Sequence, residues 1–403
     1  SPSPSPSPTE GSAALAPTAV GAGALVRTLG VRASTALIVG NILGMGIFLT
    51  PAVVAQAVDS GAAYLAHWVV GGLVAVAGGL VVAELGVLFP AAGGDYVYLD
   101  RAFGRPVAVA WGWLSLGVSF AGSIAAMAVG FGETLAALPA LAGWRLAFDS
   151  VSAGGLSQLL AVLAVAVAFA VNAASVPWVG RLQALLAGTL LIGFAALAAM
   201  ALRQAGATVG VLDVALAPSR ASAGVGVGLG GAAAAVFFTY SGWNVLSYVG
   251  GDVRSPARTI PRAVLAAVAL VGVLYVVLNV AFVATLGLPA LRSTPNAGVA
   301  LARHVLGDNA ADVFGVAVAI AIFAGINSSL MAASRVALAM SADGHLPPQI
   351  GVVHPRLFTP VRALVAVALW VMVLLATGSF EALVTLSGAT MIALSALSVA
   401  TLF

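Results

Sequence analysis

The sequence predicts an all-α integral membrane protein, an inverted five-plus-five helix repeat in which the first and sixth spans are broken. Three observations lead there. Of 403 residues, 61% are hydrophobic and only 7% charged, against about 25% charged in a soluble domain, which excludes an ordinary soluble enzyme. Apolar runs long enough for a hydrocarbon core about 30 Å thick, roughly 20 residues each, recur ten times. Glycine interrupts two of these runs at corresponding places in the two halves. A mean hydropathy of +1.11, with glycines scattered through apolar stretches, also excludes a collagen-like or disordered chain.

In order along the chain, a Ser-Pro repeat over residues 1–9 cannot bury a core, and an extended tail is expected to about residue 26. It lacks the basic front, compact apolar centre and cleavage site of a signal peptide. The missing initiator Met predicts a start inside the gene or a processed end. Spans are expected at 33–55, 61–89, 106–136, 156–174, 178–202, 224–250, 263–287, 310–341, 361–377 and 380–403. Those too long for one straight crossing are expected to tilt or break. Together they are expected to form one transmembrane domain, 27–403, with a first five-helix repeat at 27–202 and a second, inverted one at 224–403.

All sixteen basic residues are arginine, a usage that suits a GC-rich bacterial gene. With the N-terminus inside, eleven lie at or near the cytoplasmic side and five, Arg145, Arg203, Arg220, Arg292 and Arg303, lie outside. That bias obeys the positive-inside rule and predicts a multi-pass protein of the cytoplasmic (inner) membrane with a cytoplasmic N-terminus. The net charge of +3 is scattered rather than gathered on one solvent face, so no nucleic-acid partner is predicted. Zero cysteines exclude disulfides and thiol chemistry. His67, His304, His345 and His354 lack metal-ligand spacing, and neither a metal nor another cofactor is expected.

An odd number of spans per half makes the second half enter from the opposite side, so the first and sixth spans correspond. Gly40, Gly44 and Gly46 interrupt the first, and Gly242 interrupts the sixth. A broken helix frees main-chain N–H and C=O groups that hydrocarbon cannot satisfy. The half-helix N-terminus after a break suits a carboxylate, and the C-terminal end before it suits an ammonium. A zwitterionic amino acid carries both. Isolated glycines such as Gly71, Gly72 and Gly193 read instead as close helix packing.

Four motifs then resemble the amino acid–polyamine–organocation transporters, in particular their L-type amino acid transporter branch. Gly40-Asn41-Ile42-Leu43-Gly44-Met45-Gly46-Ile47-Phe48 is similar to the unwound first helix. Ala83-Glu84-Leu85-Gly86, with Pro90 and Gly93-Gly94-Asp95-Tyr96-Val97-Tyr98-Leu99, is similar to the end of helix 2 and the loop into helix 3. Phe238-Thr239-Tyr240-Ser241-Gly242-Trp243-Asn244, continuing through Tyr248, Asp252, Pro256 and Arg258 to Ile260-Pro261-Arg262-Ala263, matches the unwound sixth helix and its exit. The fourth is Phe323-Ala324-Gly325-Ile326-Asn327-Ser328-Ser329, with Ala333-Ser334-Arg335 and Asp343-Gly344-His345-Leu346-Pro347.

The resemblance implies a twelve-helix fold whose first ten helices form the inverted core. Ten spans are present here, and the substrate site is expected to survive without helices 11 and 12. It implies that Ile42, Leu43, Gly44, Met45 and Gly46 hold the substrate carboxylate. The carbonyls of Phe238, Thr239 and Ser241 are expected to receive the amino group, and Asn244 to touch substrate or brace the unwound segment. Phe238 is the expected gating aromatic, with Tyr240 and Trp243 beside it. Met45 replaces a small serine and is expected to narrow the pocket. Ser387-Gly388-Ala389-Thr390 is expected to line it.

Helix 5 reads Ala187-Gly188-Thr189-Leu190-Leu191 in the stretch where several relatives have a lysine; with no lysine anywhere, a proton-coupling lysine is excluded. Thr189, Ser328 and Ser329 are the candidates for an ion site, although serines also bond back to helix carbonyls. The inner-gate charges are Glu84, Asp95, Arg258 and Arg262, with Asp95 expected to pair with one of those arginines and Glu84 with a loop arginine, Arg101 or Arg105. The function implied is alternating-access transport of amino acids, most simply sodium-independent exchange of neutral L-amino acids. Alternatives are a proton- or sodium-coupled symporter or exporter of the same fold, and a non-transporting amino acid sensor. A membrane enzyme is disfavoured because no His, Asp, Glu and Ser cluster converges. Besides the amino acid and the bilayer no partner is expected: no cysteine is available to tether a heavy chain, and the protein is expected as a monomer or weak homodimer.

Overall fold

The computed structural model describes residues 25–44, 46–150, 152, 154–206, 228–294, 296–307, 310–377, 388, 390 and 393–402. Met45, Arg220, Ser387 and Ala389 lie outside the described residues, as does most of the expected tail. The described residues are almost entirely helical.

Two half-helices, α1 (Val31–Ile42) and α2 (Gly46–Ala57), meet at 47° across the bend at Leu43 and Gly44. Ser60 caps α3 (Gly61–Leu88), accepting the Ala63 N–H at 3.1 Å, which satisfies one of the amides a helix start leaves bare. A short helix, α4 (Asp95–Phe103), ends at Gly104. Then α5 (Arg105–Leu114) passes through a π-helical turn, Ser115–Phe120, into α6 (Ala121–Ala136), making one apolar rod of 32 residues. A π turn widens the helix and misaligns its carbonyls. One of them, at Gly117, accepts the Trp370 indole N–H at 2.9 Å.

The connecting helix α7 (Ala142–Asp149) leads to α8 (Gly155–Ala174) and α9 (Val176–Gln204). The second half opens with α10 (Leu229–Tyr240), which stops at Ser241 and Gly242 before a single turn, α11 (Val245–Tyr248). It continues with α12 (Pro256–Ser293), bent at Gly287, then α13 (Ala297–Leu306), α14 (Ala310–Ala342) and α15 (Val361–Thr377).

Six of these helices are long and apolar enough to cross a bilayer, or seven with α1 and α2 as one broken span. This is fewer than the ten expected. The sixth expected span yields only α10 before its break, α15 is 17 residues long, and of 380–403 only 388, 390 and 393–402 are described. Three helices that the apolar runs did not announce, α4, α7 and α13, are short and lie between spans. Outward faces are apolar, as on Leu73 of α3 (64% exposed) and Val273 of α12 (67%), which suits lipid rather than water.

One end of the bundle is tied by backbone and by charge. Thr28 and Leu29 donate their N–H groups to the Asp252 carbonyl at 2.8 and 2.9 Å, and Arg254 N–H returns to Leu29 O at 2.9 Å. Directly behind, the Asp252 carboxylate accepts from Arg335 Nε at 3.0 Å and Nη2 at 3.4 Å, both side chains buried. It is the one ion pair among the described residues. Arg335 belongs to α14, so the pair ties the second broken segment to that long helix.

Replacing Arg335 with Met leaves a buried carboxylate without a partner, and about 3–5 kcal/mol of stability should be lost. The double variant D252N/R335M should recover most of it. Thermal unfolding in detergent measures both, and a wild-type midpoint for R335M would show the pair to be dispensable.

Candidate functional site

The two interrupted segments come together. Where α1 ends, the Ile42 carbonyl has no helical partner and accepts the Tyr275 hydroxyl of α12 at 2.9 Å. The same hydroxyl lies 3.5 Å from the Thr239 carbonyl near the end of α10, so one tyrosine spans both breaks. Thr239 donates to Ala235 O at 2.9 Å and accepts from Thr50 of α2 at 2.7 Å. Gly242 has φ +108, a conformation L residues avoid, and an added Cβ would stand 2.7 Å from Asn41 Nδ2. That close approach lets Asn41 donate to the Gly242 carbonyl at 3.2 Å.

Behind the breaks runs a buried polar ladder. Asn41 Oδ1 accepts from Ser328 at 2.8 Å and Ser329 at 3.1 Å. Asn172 of α8 donates to Asn327 Oδ1 at 2.9 Å, Asn327 donates to Gln183 Oε1 at 3.0 Å, and Gln183 donates to Ala324 O at 3.0 Å. Each amide donor finds an acceptor, which is what makes such a network tolerable in an apolar interior. The signal for Asn172, Gln183 and Tyr275 was available as isolated polar residues in apolar runs. Their partners lie from 36 to 233 residues away, so the sequence could not pair them.

Between the breaks and α4 lies a cavity of about 80 Å³. Asn41, Gly242, Asn244 and Ser329 line it from the breaks, and Asp95, Tyr248, Ser115, Ser119 and Ser123 from the other side. Asp95 opens α4, in the connection between spans. Gly94 before it has φ +52, and an added Cβ would stand 2.5 Å from the Tyr248 ring. Asp95 Oδ2 accepts the Tyr248 hydroxyl, and Asn244 Nδ2 at 3.5 Å. Oδ1 is buried without a hydrogen-bond partner, as is the Ser115 hydroxyl. Burial pushes the Asp95 carboxyl up from 3.8 to about 6, against the hydrogen bonds on it, Tyr248's first.

The structure revises several expectations. Asp95 does not meet Arg258 or Arg262, both of which are exposed, and Glu84 is exposed without an ion pair to Arg101 or Arg105. The buried charge pair is Asp252–Arg335 instead. The Phe238 carbonyl is already engaged by the Ser241 N–H at 3.1 Å and hydroxyl at 2.6 Å, so it has no lone pair left for a substrate ammonium. Tyr240 is buried, donating to Trp68 O at 3.0 Å within a cluster of Tyr64, Trp68 and Tyr275 rings. Trp243 is buried against Gly78. Neither is free to swing as a gate. Thr189 is exposed on α9, away from Ser328 and Ser329.

Other expected residues do converge. Leu43 and Ile42 are buried at the first break, and Gly46 starts α2 against Thr239. Phe238 is 42% exposed, with Gly388 nearby.

The amino acid permease family matches residues 29–403. The human large neutral amino acids transporter small subunit 2 is 30% identical over 375 residues, covering 91% of this chain and 67% of that protein. The mouse Asc-type amino acid transporter 1 is 30% identical, covering 85% of this chain and 63% of its own. The serine/threonine exchanger SteT of Bacillus subtilis is 28% identical, covering 87% and 77%. Among solved structures, the nucleobase-cation-symport-1 transporter MHP1 superposes with a TM-score of 0.62 at 13% identity, covering 95% of this chain and 81% of that one. MhsT in complex with L-phenylalanine does so at 0.60 and 16%, covering 94% and 89%. At those identities the two structures show the fold alone.

Gly242→Ala should force the two breaks apart, since its Cβ meets Asn41 backbone as well as side chain. Amino acid binding should fall at least tenfold while the purified variant stays monodisperse. Binding at the wild-type level would separate Gly242 from the site.

Proposed function

The chain belongs to the amino acid permease family, a family of membrane transporters, and on that premise we propose that it exchanges neutral L-amino acids across the cytoplasmic membrane without sodium. The observation that carries this reading is the pairing of the α1–α2 and α10–α11 breaks over one polar cavity. Amides at the start of α2 suit the carboxylate, and the dipole end of α10 suits the amino group. With the Phe238 carbonyl engaged, the Thr239 and Ser241 carbonyls are the acceptors left for the ammonium.

The relatives' names point the same way, to neutral amino acids and to exchange. Sodium independence is supported by Ser328 and Ser329, whose hydroxyls are turned to Asn41. Exchange needs no chemical motor: bound amino acid lowers the cost of reorientation, and an empty carrier turns over slowly. The arginine bias supports an N-terminus on the cytoplasmic side. With no cysteine for a tether, the carrier works without a heavy chain, as a monomer or weak homodimer.

The test is uptake of radiolabelled L-amino acids into proteoliposomes in sodium-free buffer at equal pH, with and without unlabelled amino acid inside. Uptake should appear only when the lumen is loaded. Equal uptake into empty vesicles would overturn exchange, and no uptake of any amino acid would overturn transport. Phe238→Ala should reduce exchange at least tenfold with folding intact, because its exposed ring is the side chain free to close over the substrate. Exchange at the wild-type rate would remove Phe238 from the mechanism.

A further inference from the structure

The buried carboxyl of Asp95 is out of keeping with the rest of the cavity. One oxygen, Oδ2, is served by Tyr248 and Asn244. The other, Oδ1, is buried without a hydrogen-bond partner. Ser398 stands near, but its hydroxyl proton is given to Leu394 O at 2.9 Å. An ionised carboxylate enclosed without a cation or a full set of donors is costly, and such a group either finds a counter-ion or becomes neutral.

No counter-ion stands beside it among the described residues. Among the described residues, α1 presents Asn41 to the cavity, the rod of α5 and α6 presents Trp111, Ser115, Ser119 and Ser123, and α14 presents Ser329. The ionisable groups facing Asp95 are two tyrosines, Tyr248 of α11 and Tyr98 of α4. Burial raises Tyr98 above the ordinary tyrosine value, and Tyr248 is a phenol that donates to Asp95. Tyr96 bonds to Asp343 instead. Asp252 and Arg335 hold each other, and Arg258 and Arg262 are exposed.

We propose that Asp95 is a proton-binding site linked to the substrate: its Oδ1 takes up a proton from water as the cavity closes over an amino acid and returns it when the cavity opens. Oδ2 cannot be the protonated atom, because it accepts two hydrogen bonds. The O–H bond forms on the atom the structure leaves bare, and the closed cavity then encloses a neutral acid. Because the coupling is a free energy, it runs both ways: acid tightens amino acid binding, and amino acid tightens proton binding. This rests on the transport reading but goes beyond it, since exchange itself requires no proton.

The sign follows from two states of one carboxyl. In the cavity as the structure has it, burial lifts the carboxyl from 3.8 to about 6; water admitted by opening would return it toward its ordinary value. A proton is therefore taken up on binding between those values, and affinity falls as pH rises through that window by up to tenfold per unit. Above about 6 the affinity levels off.

The experiment uses the purified full chain in nanodiscs, with a mixture of L-alanine, L-serine, L-threonine and L-leucine as the probe. In weakly buffered solution near pH 5, a pH indicator should report proton uptake approaching one per amino acid bound. Radioligand affinity should fall between pH 4 and pH 6. Asp95→Asn, a neutral isostere, should bind without proton uptake and with one affinity across that range.

Binding by the wild type with no proton uptake and a flat pH profile would overturn the proton site and leave the carrier reading standing. An Asp95→Asn protein that is folded but binds nothing at any pH would also overturn it, by making Asp95 a direct substrate contact. No binding by the wild type at any pH would overturn the transport reading and this inference with it.

Discussion

Everything in this structure answers to one constraint: two helices are interrupted inside an apolar bundle, and hydrocarbon offers nothing to the main-chain groups so released. The solution is a single layer of side chains around the breaks. Tyr275 reaches the carbonyls of Ile42 and Thr239 from α12, and Asn41 reaches Gly242 across the gap between the halves. Ser241 closes the end of α10 in the same way, its N–H and hydroxyl both donating to the Phe238 carbonyl.

The polar interior is organised in layers of different kind. Next to the breaks are neutral amides and hydroxyls, Asn41, Asn172, Gln183, Asn327 and the two serines, in which each donor has an acceptor. Farther along, where residues 28–29 join 252–254, a charge pair takes over. Neutral networks cost less to desolvate than charges, so they can lie beside the cavity. The Asp252–Arg335 pair sits where backbone contacts hold the segments together.

Asp95 belongs to neither layer. It is buried like the amides and ionisable like the pair, and only one of its oxygens is served. It also marks a difference in how the cavity is walled. The side toward the breaks is fixed by Asn41 and Gly242, while the far side is built from hydroxyls on the π-widened turn, Ser115 and Ser119, with Ser123 beyond it on α6. The Ser115 hydroxyl, at the start of that turn, has no hydrogen-bond partner.

The sequence by itself determined the class and the places of the breaks. Composition dictates a bilayer protein, because a chain with so few charges cannot be solvated as a compact soluble domain, and glycines inside apolar runs dictate where helices stop. Spans 61–89, 106–136 and 156–174 were legible almost to the residue, since length and apolarity act locally. Which charge meets which was not legible. Asp95 was assigned to arginines that lie in the exit segment, and Asp252 with Arg335 was not foreseen, because both pairings depend on how helices separated by 83 to 167 residues pack. The same holds for Tyr240 and Trp243, aromatic residues beside a break that read as gates until packing showed them wedged against α3. Hydrogen bonds and ion pairs form between neighbours in space, and only the tertiary structure decides who the neighbours are.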